Sequence, residues 1–424
     1  MDRRWAMLGV VFLTRIAMGY QFQAVPSVST FLVDEFHIAY AELGLLIGLF
    51  MLPGTVIALP GGLLGQRLGD RQLVLAGLLF MMVGGALTAA APDFGTACGG
   101  RTLSGIGASL LNIFLAKIVA DWFAGRELRT AMGVMLTAWP VGIGLALVSV
   151  GWLAQAASWR MAMHTAVGVS AIAFALMVTL YREPPHLEEA EPVPGAALPR
   201  RDLWLALVAG AGWASFNASL IVAVAFAPAI LVARGVSVAE ASLPVSAAIW
   251  VTIVSVPLGG ALADRWKTRV DAIIVGGCTA TALLMLGIVW APGAAWSYAL
   301  VGLALGVPAG ALIALLPHTA KPETLATALG VYYSIYYLGM AAAQPAAGLT
   351  RDLTGRPEMP VVFAAALMAT TVVSLVAFRA VERATKSRGG PRNGPPHAGS
   401  PRPSNDLRPR TPTPPNPRSA PGNP

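Results

Sequence analysis

Charge is scarce in this chain. Of its 424 residues only 12% are Asp, Glu, Lys or Arg, 56% are hydrophobic, and the mean hydropathy is +0.66. Soluble domains carry about 25% charged residues, so this composition excludes a large soluble protein. Cysteine is nearly missing: Cys98 and Cys278 lie in or near separate apolar segments and read as small buried hydrophobes, which excludes a disulfide framework. No nucleotide-binding loop, metal-ligand cluster or sizeable soluble stretch is present, which argues against an enzyme or sensor and implies no cofactor. The period-2 alternation of a membrane barrel is absent. Arg3 and Arg4 precede an apolar run without a small-residue cleavage site. That run is too long for a signal peptide and carries Arg15, so it is expected to be retained.

What the chain does have is a rhythm of twelve apolar stretches of roughly 20 residues, the length a helix needs to cross about 30 Å of hydrocarbon. The expected segments are 5–33, 42–64, 73–92, 95–119, 130–154 and 160–181, then, after a polar break at 182–202, 203–232, 240–263, 270–291, 295–317, 325–349 and 359–381. This predicts an all-α membrane protein of 12 transmembrane helices in two six-helix bundles. The expected domains are 1–181, a linker 182–202, 203–383, and a Pro/Arg-rich tail 384–424 that cannot bury a core. The tail's basic residues could meet anionic headgroups of the lipid bilayer.

Net charge is +8, but its placement says more than its sum. With the N-terminus inside, 13 Lys/Arg residues fall in cytoplasmic breaks and 4 in outer ones. This predicts a multi-pass protein of the cell (inner) membrane with both termini cytoplasmic and no nucleic-acid partner.

An internal repeat divides the chain. GGLLGQRLGDRQ after the second segment returns as GGALADRWKTRV after the eighth, at an offset of 198 (Gly62 to Gly260, Arg67 to Arg265), and Ala131-Met132-Gly133 returns as Ala328-Leu329-Gly330 at 197. These stretches resemble the major facilitator superfamily, whose signature there is G-x-L-A-D-R-x-G-R-K. Gly62, Leu64, Arg67, Gly69 and Arg71 match, but Gln66 replaces the acid and Asp70 the first base. In the second copy Gly260, Leu262, Ala263, Asp264, Arg265 and Arg269 match. Arg101, Gly105, Gly107 and Ala108 are similar to the family's R-x-x-x-G-x-G-A. LTRIAMGYQFQAVP, VADWFAGRE and the Trp-Pro of the fifth segment resemble the cyanate/nitroimidazole permease branch. The resemblance implies alternating access to a central site, possession of a small anion or nitro compound as substrate, and a cytoplasmic lock. Charges and helix ends can hold such a lock. With Gln66 in place of the acid, Asp264 is expected to carry more of it.

Charges at membrane depth are costly and mark function. Arg15 and Arg101 lie well inside segments, whereas Lys117 is near an inner end and can snorkel. At about 100° per residue, Arg101 and Asn112 share one stripe of the fourth segment. Gln21 and Gln23 cannot face one cavity, and Gln23 is favoured. The seventh segment offers Trp213, Ser215 and Asn217, and the eleventh Tyr332, Tyr333, Tyr336, Tyr337 and Gln344. No Asp or Glu falls mid-segment, leaving carbonyls, cavity water or an anionic substrate to balance the arginines. The same lack weakens proton coupling, for which His164 and His318 are the remaining candidates.

Two expectations follow for a monomeric permease, with a coupling proton or counter-substrate as further partner. In the first, Arg15 and Arg101 neutralise a small organic anion that Gln23, Asn112, Asn217, Tyr333 and Tyr337 orient. In the second, Trp139, Trp213 and the tyrosines stack against small apolar or nitro-aromatic compounds carried outward.

Overall fold

The computed structural model describes residues 3–58, 68–124, 127–184, 198–319 and 322–388, and every extended regular element among them is helical. Hydrocarbon offers backbone groups no hydrogen-bond partner, so apolar segments close their bonds internally as helices. In chain order the helices are α1 (Arg3–Ser27), α2 (Ser29–Phe36), α3 (Tyr40–Gly48), α4 (Gly54–Ile57), α5 (Asp70–Ala89), α6 (Phe94–Trp122) and α7 (Leu128–Ala156). There follow α8 (Trp159–Thr179), α9 (Arg200–Val232), α10 (Val238–Arg265), α11 (Val270–Trp290), α12 (Ala295–Thr319), α13 (Pro322–Thr354) and α14 (Met359–Arg388).

Ten of the described helices are long and apolar enough to cross a membrane. Two of the twelve expected segments are missing from that set, for different reasons. The second breaks into α3 and α4: around Pro53, which has no N–H, the chain tightens into short-range bonds from Met51 N to Gly48 O and from Gly54 N to Met51 O. Its end, 59–67, lies outside the described residues. The other, α13, is a 33-residue helix whose tyrosines, Gln344, Arg351 and Asp352 keep it polar.

The first segment is also divided. Pro26 near the end of α1 is followed by Val28 at φ −113° and ψ 17°, and α2 continues beyond it. Several far-side helix starts are capped: Asp93 accepts from Thr96 N (2.8 Å), Ser158 from Met161 N (3.1 Å) and Ser237 from Glu240 N (3.3 Å). At the other end α14 runs to Arg388, beyond the expected boundary at 383. The tail from 389 and the linker stretch 185–197 lie outside the described residues.

The packing repeats. In the first half α1 lies on α7 and α8, and α5 on α6 and α8; in the second α9 lies on α13 and α14, and α11 on α12 and α14. Small residues permit close approach, as where Gly77 meets the Gly107 carbonyl and Gly84 meets Gly100. The halves join through α3 against α13 and α7 against α10. On the face opposite the chain termini, Gly44 sits on the Gln344–Pro345 backbone, Gly348 on Tyr40 and Gly151 on Ala239. Trp152, Trp290 and Trp296 are exposed towards that face and Trp204 and Trp266 towards the other, with exposed Val254, Ile172 and Leu283 in helices between. Such bands fit a bilayer flanked by two interfaces.

Candidate functional site

The site begins with a proline. Pro26 brings no N–H, so the Phe22 carbonyl four residues earlier lacks its usual helical donor. Arg101 on α6 supplies one: Nη2 donates to Phe22 O at 2.6 Å and Nη1 to Gln21 O at 2.9 Å. Its guanidinium carbon also lies 4.4 Å from the Phe50 ring centroid and 5.7 Å from that of Phe22. Arg101 is 1% exposed. It is sealed between helices, in place of the anion-facing position expected beside Asn112. Arg101 and Asn112 stand 11 residues apart, about 16 Å along one helix, and different neighbours cover the two positions.

Gln21 is likewise bound into the first half. Its Nε2 donates to Met81 O (2.8 Å) and to Ser104 Oγ (3.1 Å), while Ser170 Oγ donates to its Oε1 (3.2 Å). Gln23 differs: buried at 1% exposure, it has no partner for either amide atom. Gln344 on α13 is in the same condition.

Arg15 sits midway along α1, about 18 Å from the helix start. It is 7% exposed, and among the described residues it has no hydrogen bond or ion pair; its Nε is buried without a partner. Its electrostatic neighbours are Tyr337, Tyr336 and Tyr333, all on α13 in the other half. Asn112 Nδ2 donates to the Tyr337 hydroxyl at 2.5 Å, and the Tyr337 ring packs on Gly54. Arg15, Asn112, Tyr333 and Tyr337 thus form one mid-depth group spanning both halves.

The other expected residues are more dispersed. Trp139 is half-buried, its ring 5.4 Å from Phe22, and half-buried Trp213 stacks on Phe216 at 5.6 Å. The Asn217 amide donates to the Trp213 carbonyl in its own helix, at 2.8 Å. His164 is exposed, away from this group, and the His318 side chain lies outside the described residues.

On the terminus side, Gly62 and Arg67 lie outside the described residues. Gly69 takes φ +77° just before α5, a conformation that favours glycine. Asp70 accepts from Lys117 Nζ (2.6 Å), and Arg71 Nη2 donates to Val178 O (2.9 Å), so both tie helices within the first half. Gly260 approaches Gly310. Asp264, Arg265 and Arg269 are exposed, and their side chains show no hydrogen bond or ion pair among the described residues. Among the described residues, Asp264 makes no such lock in this conformation.

A latch missed in the sequence lies on the opposite face. Asp352 accepts from Tyr40 N (2.9 Å) and Ala41 N (2.7 Å), the first donors of α3, and Arg351 stacks 3.5 Å from the Tyr40 ring centroid. One signal was available: Ala39 at the N-cap has no side-chain oxygen, which leaves donors for another element to satisfy. Nearby, Arg160 donates to Glu35 at 2.8 Å. Chiefly through this bond, and secondly through Trp159, the Glu35 carboxyl is held below its ordinary value.

Membrane-length apolar helices in two halves, with a buried polar group at their junction, give the molecule the build of a polytopic membrane protein. The Major Facilitator Superfamily profile matches residues 8–344 and 205–415, and the chain belongs to that family. The lysosomal dipeptide transporter MFSD1 of Danio rerio is 23% identical over 87% of this chain and 86% of its own length. The D-galactonate transporter of Escherichia coli O6:H1 is 23% identical over 44% of this chain and 43% of its own length. The chain spans between 19% and 34% of the length of three further curated fungal and bacterial relatives. The crystal structure of a D-xylose-proton symporter superposes with a TM-score of 0.71 at 16% identity, covering 88% of this chain and 97% of that one, which shows the fold.

Proposed function

We propose that this transporter carries a small organic anion across the cell (inner) membrane by alternating access, as a monomer with both termini cytoplasmic. The observation that carries the reading is Arg15: a buried guanidinium at mid-depth, without a fixed counter-ion, facing tyrosines from the other half. A carboxylate arriving there would gain charge-assisted hydrogen bonds that the protein itself does not supply. Tyr333, Tyr337 and Asn112 would orient it, and the unpartnered Gln23 amide is a further candidate for its polar end. The name of the D-galactonate transporter agrees with this class of solute. Arg101 serves instead as the tie that holds the α1 bend.

The halves, 1–181 and 203–383, would rock about this group, with the Asp352 contacts closing the outer face in the conformation seen. Lysine and arginine bias supports the orientation. A second reading keeps cyanate-sized or nitro-aromatic solutes, the chemistry of the cyanate/nitroimidazole permease branch, because Trp139 and Trp213 are only half-buried.

Counterflow in proteoliposomes tests the choice, with radiolabelled D-gluconate, benzoate and cyanate against neutral nitrobenzene and glucose. Uptake of at least one anion, lost in Arg15→Gln protein that folds normally, is the expected result. Uptake of only the neutral compounds would overturn the anion reading.

A further inference from the structure

We infer that this protein works as an anion exchanger: the outward and inward strokes each need a bound anion, and the empty carrier hardly reorients. The inference rests on the anion reading of Arg15 and adds the mode of coupling. The mode of coupling depends on what could neutralise that guanidinium in each state of the cycle. No Asp or Glu lies mid-segment anywhere in the sequence. The carboxylates in the described helices sit at or near their ends, as Asp70, Asp121, Asp202, Asp264 and Asp352 do, and several are already engaged: Asp70 by Lys117, Asp202 by Arg201 and Thr324, Asp352 by the start of α3. The groups of the other half that interact electrostatically with Arg15 are tyrosines of α13, side chains that are neutral at physiological pH. Arg101, by contrast, has two carbonyls for its Nη atoms and two aromatic faces as permanent partners, whether or not anything is bound, although its Nε, like that of Arg15, has no acceptor.

When both faces close around the site, Arg15 loses access to bulk water. With an anion bound, the pair crosses this occluded state with its charge compensated. Without one, an unpaired cation must be enclosed at membrane depth, which is costly. A proton cannot take the anion's place, because adding positive charge makes the site worse, and no residue at the Arg15 group offers a carboxylate to titrate. Exchange of two anions of equal charge therefore runs without moving net charge and without a proton gradient.

The test uses the wild-type protein in proteoliposomes loaded separately with radiolabelled D-gluconate, benzoate or cyanate. Release is followed into medium holding the same unlabelled anion and into medium without a transportable anion, each with and without an imposed pH gradient and with membrane potential clamped. The expected result is release on the order of a hundredfold faster into anion-containing medium, the rate equivalent of enclosing an unpaired arginine, and insensitive to the pH gradient. Rates within about threefold of each other, too small for that barrier, would overturn exchange and leave anion transport standing. Release into anion-free medium that the pH gradient drives would overturn it in favour of proton symport, again leaving anion transport standing. Failure of all three anions to move in either medium would overturn both the exchange inference and the anion reading.

Discussion

Arg15 and Arg101 lie in the same half of the molecule, 7% and 1% exposed, yet their surroundings are opposite. Arg101 ends on two carbonyls of α1 and the faces of Phe22 and Phe50. Arg15 interacts electrostatically with tyrosines of the other half, and its side chain has no hydrogen bond or ion pair among the described residues; Nε is unbonded in both arginines, so the contrast lies in the Nη atoms. Burial alone does not mark a ligand site. What matters is whether the fold supplies acceptors for the terminal guanidinium nitrogens, and here a proline frees a carbonyl for one arginine and not for the other.

Substitutions can break this contrast. The largest effect is expected from Arg101→Ala, which removes two charge-assisted hydrogen bonds worth about 1.5–3 kcal/mol each. It should lower thermal stability in detergent markedly and abolish transport with it. Arg101→Lys should not restore stability, because a single ammonium cannot bridge both carbonyls and stack on the rings. Equal thermal stability of wild type and Arg101→Ala would show that the carbonyl tie is unimportant.

Arg15→Gln should do the reverse. Relieving a buried unpaired cation leaves stability unchanged or raises it, while anion counterflow drops about a hundredfold or more, the loss expected when a buried charge-assisted contact disappears. Parallel loss of stability and flux would make the two arginines alike.

Pro26→Ala sharpens the comparison at smaller cost. It gives position 26 an N–H that competes with Arg101 for the Phe22 carbonyl. A destabilisation of about 1 kcal/mol is expected, and it should be absent in the Arg101→Ala background, where there is nothing left to compete with; a double-mutant cycle reads this. Tyr337→Phe, which removes the partner of Asn112 across the halves, is expected to cost about 0.5–1.5 kcal/mol and to weaken anion affinity more than it lowers stability. Calorimetry and counterflow on the same preparation would separate the two effects.

The smallest effect concerns the face opposite the chain termini. Glu35 has its pKa lowered from 4.5 by the Arg160 hydrogen bond. Its folded-state value lies below the unfolded one, so its stabilisation is present above pH 4.5 and is lost as pH falls through the lower folded value. Glu35→Gln should flatten that part of the acid stability curve; an unchanged curve would remove the ion pair from the account.

Much of the fold could be read in advance. Runs of apolar residues at bilayer length, the repeat at an offset of 198 and the family signatures gave an all-helical protein in two related halves. Breaks inside the first two segments were harder to place, although Pro26 and Pro53 were visible, because a proline can kink a helix or end it according to what packs beside it. In the site, Arg15 and the Tyr333–Tyr337 wall were legible as polar groups in apolar surroundings. The Asn112–Tyr337 bond and the Asp352 latch were not, since each joins residues more than 200 positions apart.

That the chain is a helical membrane protein could be read from its residues alone, because segment length, hydropathy and charge bias answer directly to the thickness and polarity of a bilayer; the motifs added the resemblance to a transporter family. Which buried arginine finds carbonyl and ring partners in its own half, and which finds none among the described residues, was settled by the packing of the helices. Helical periodicity gives a side chain's direction on its own axis, but hydrogen-bond satisfaction depends on which atoms of other helices meet it there, and that is settled by how the helices cross.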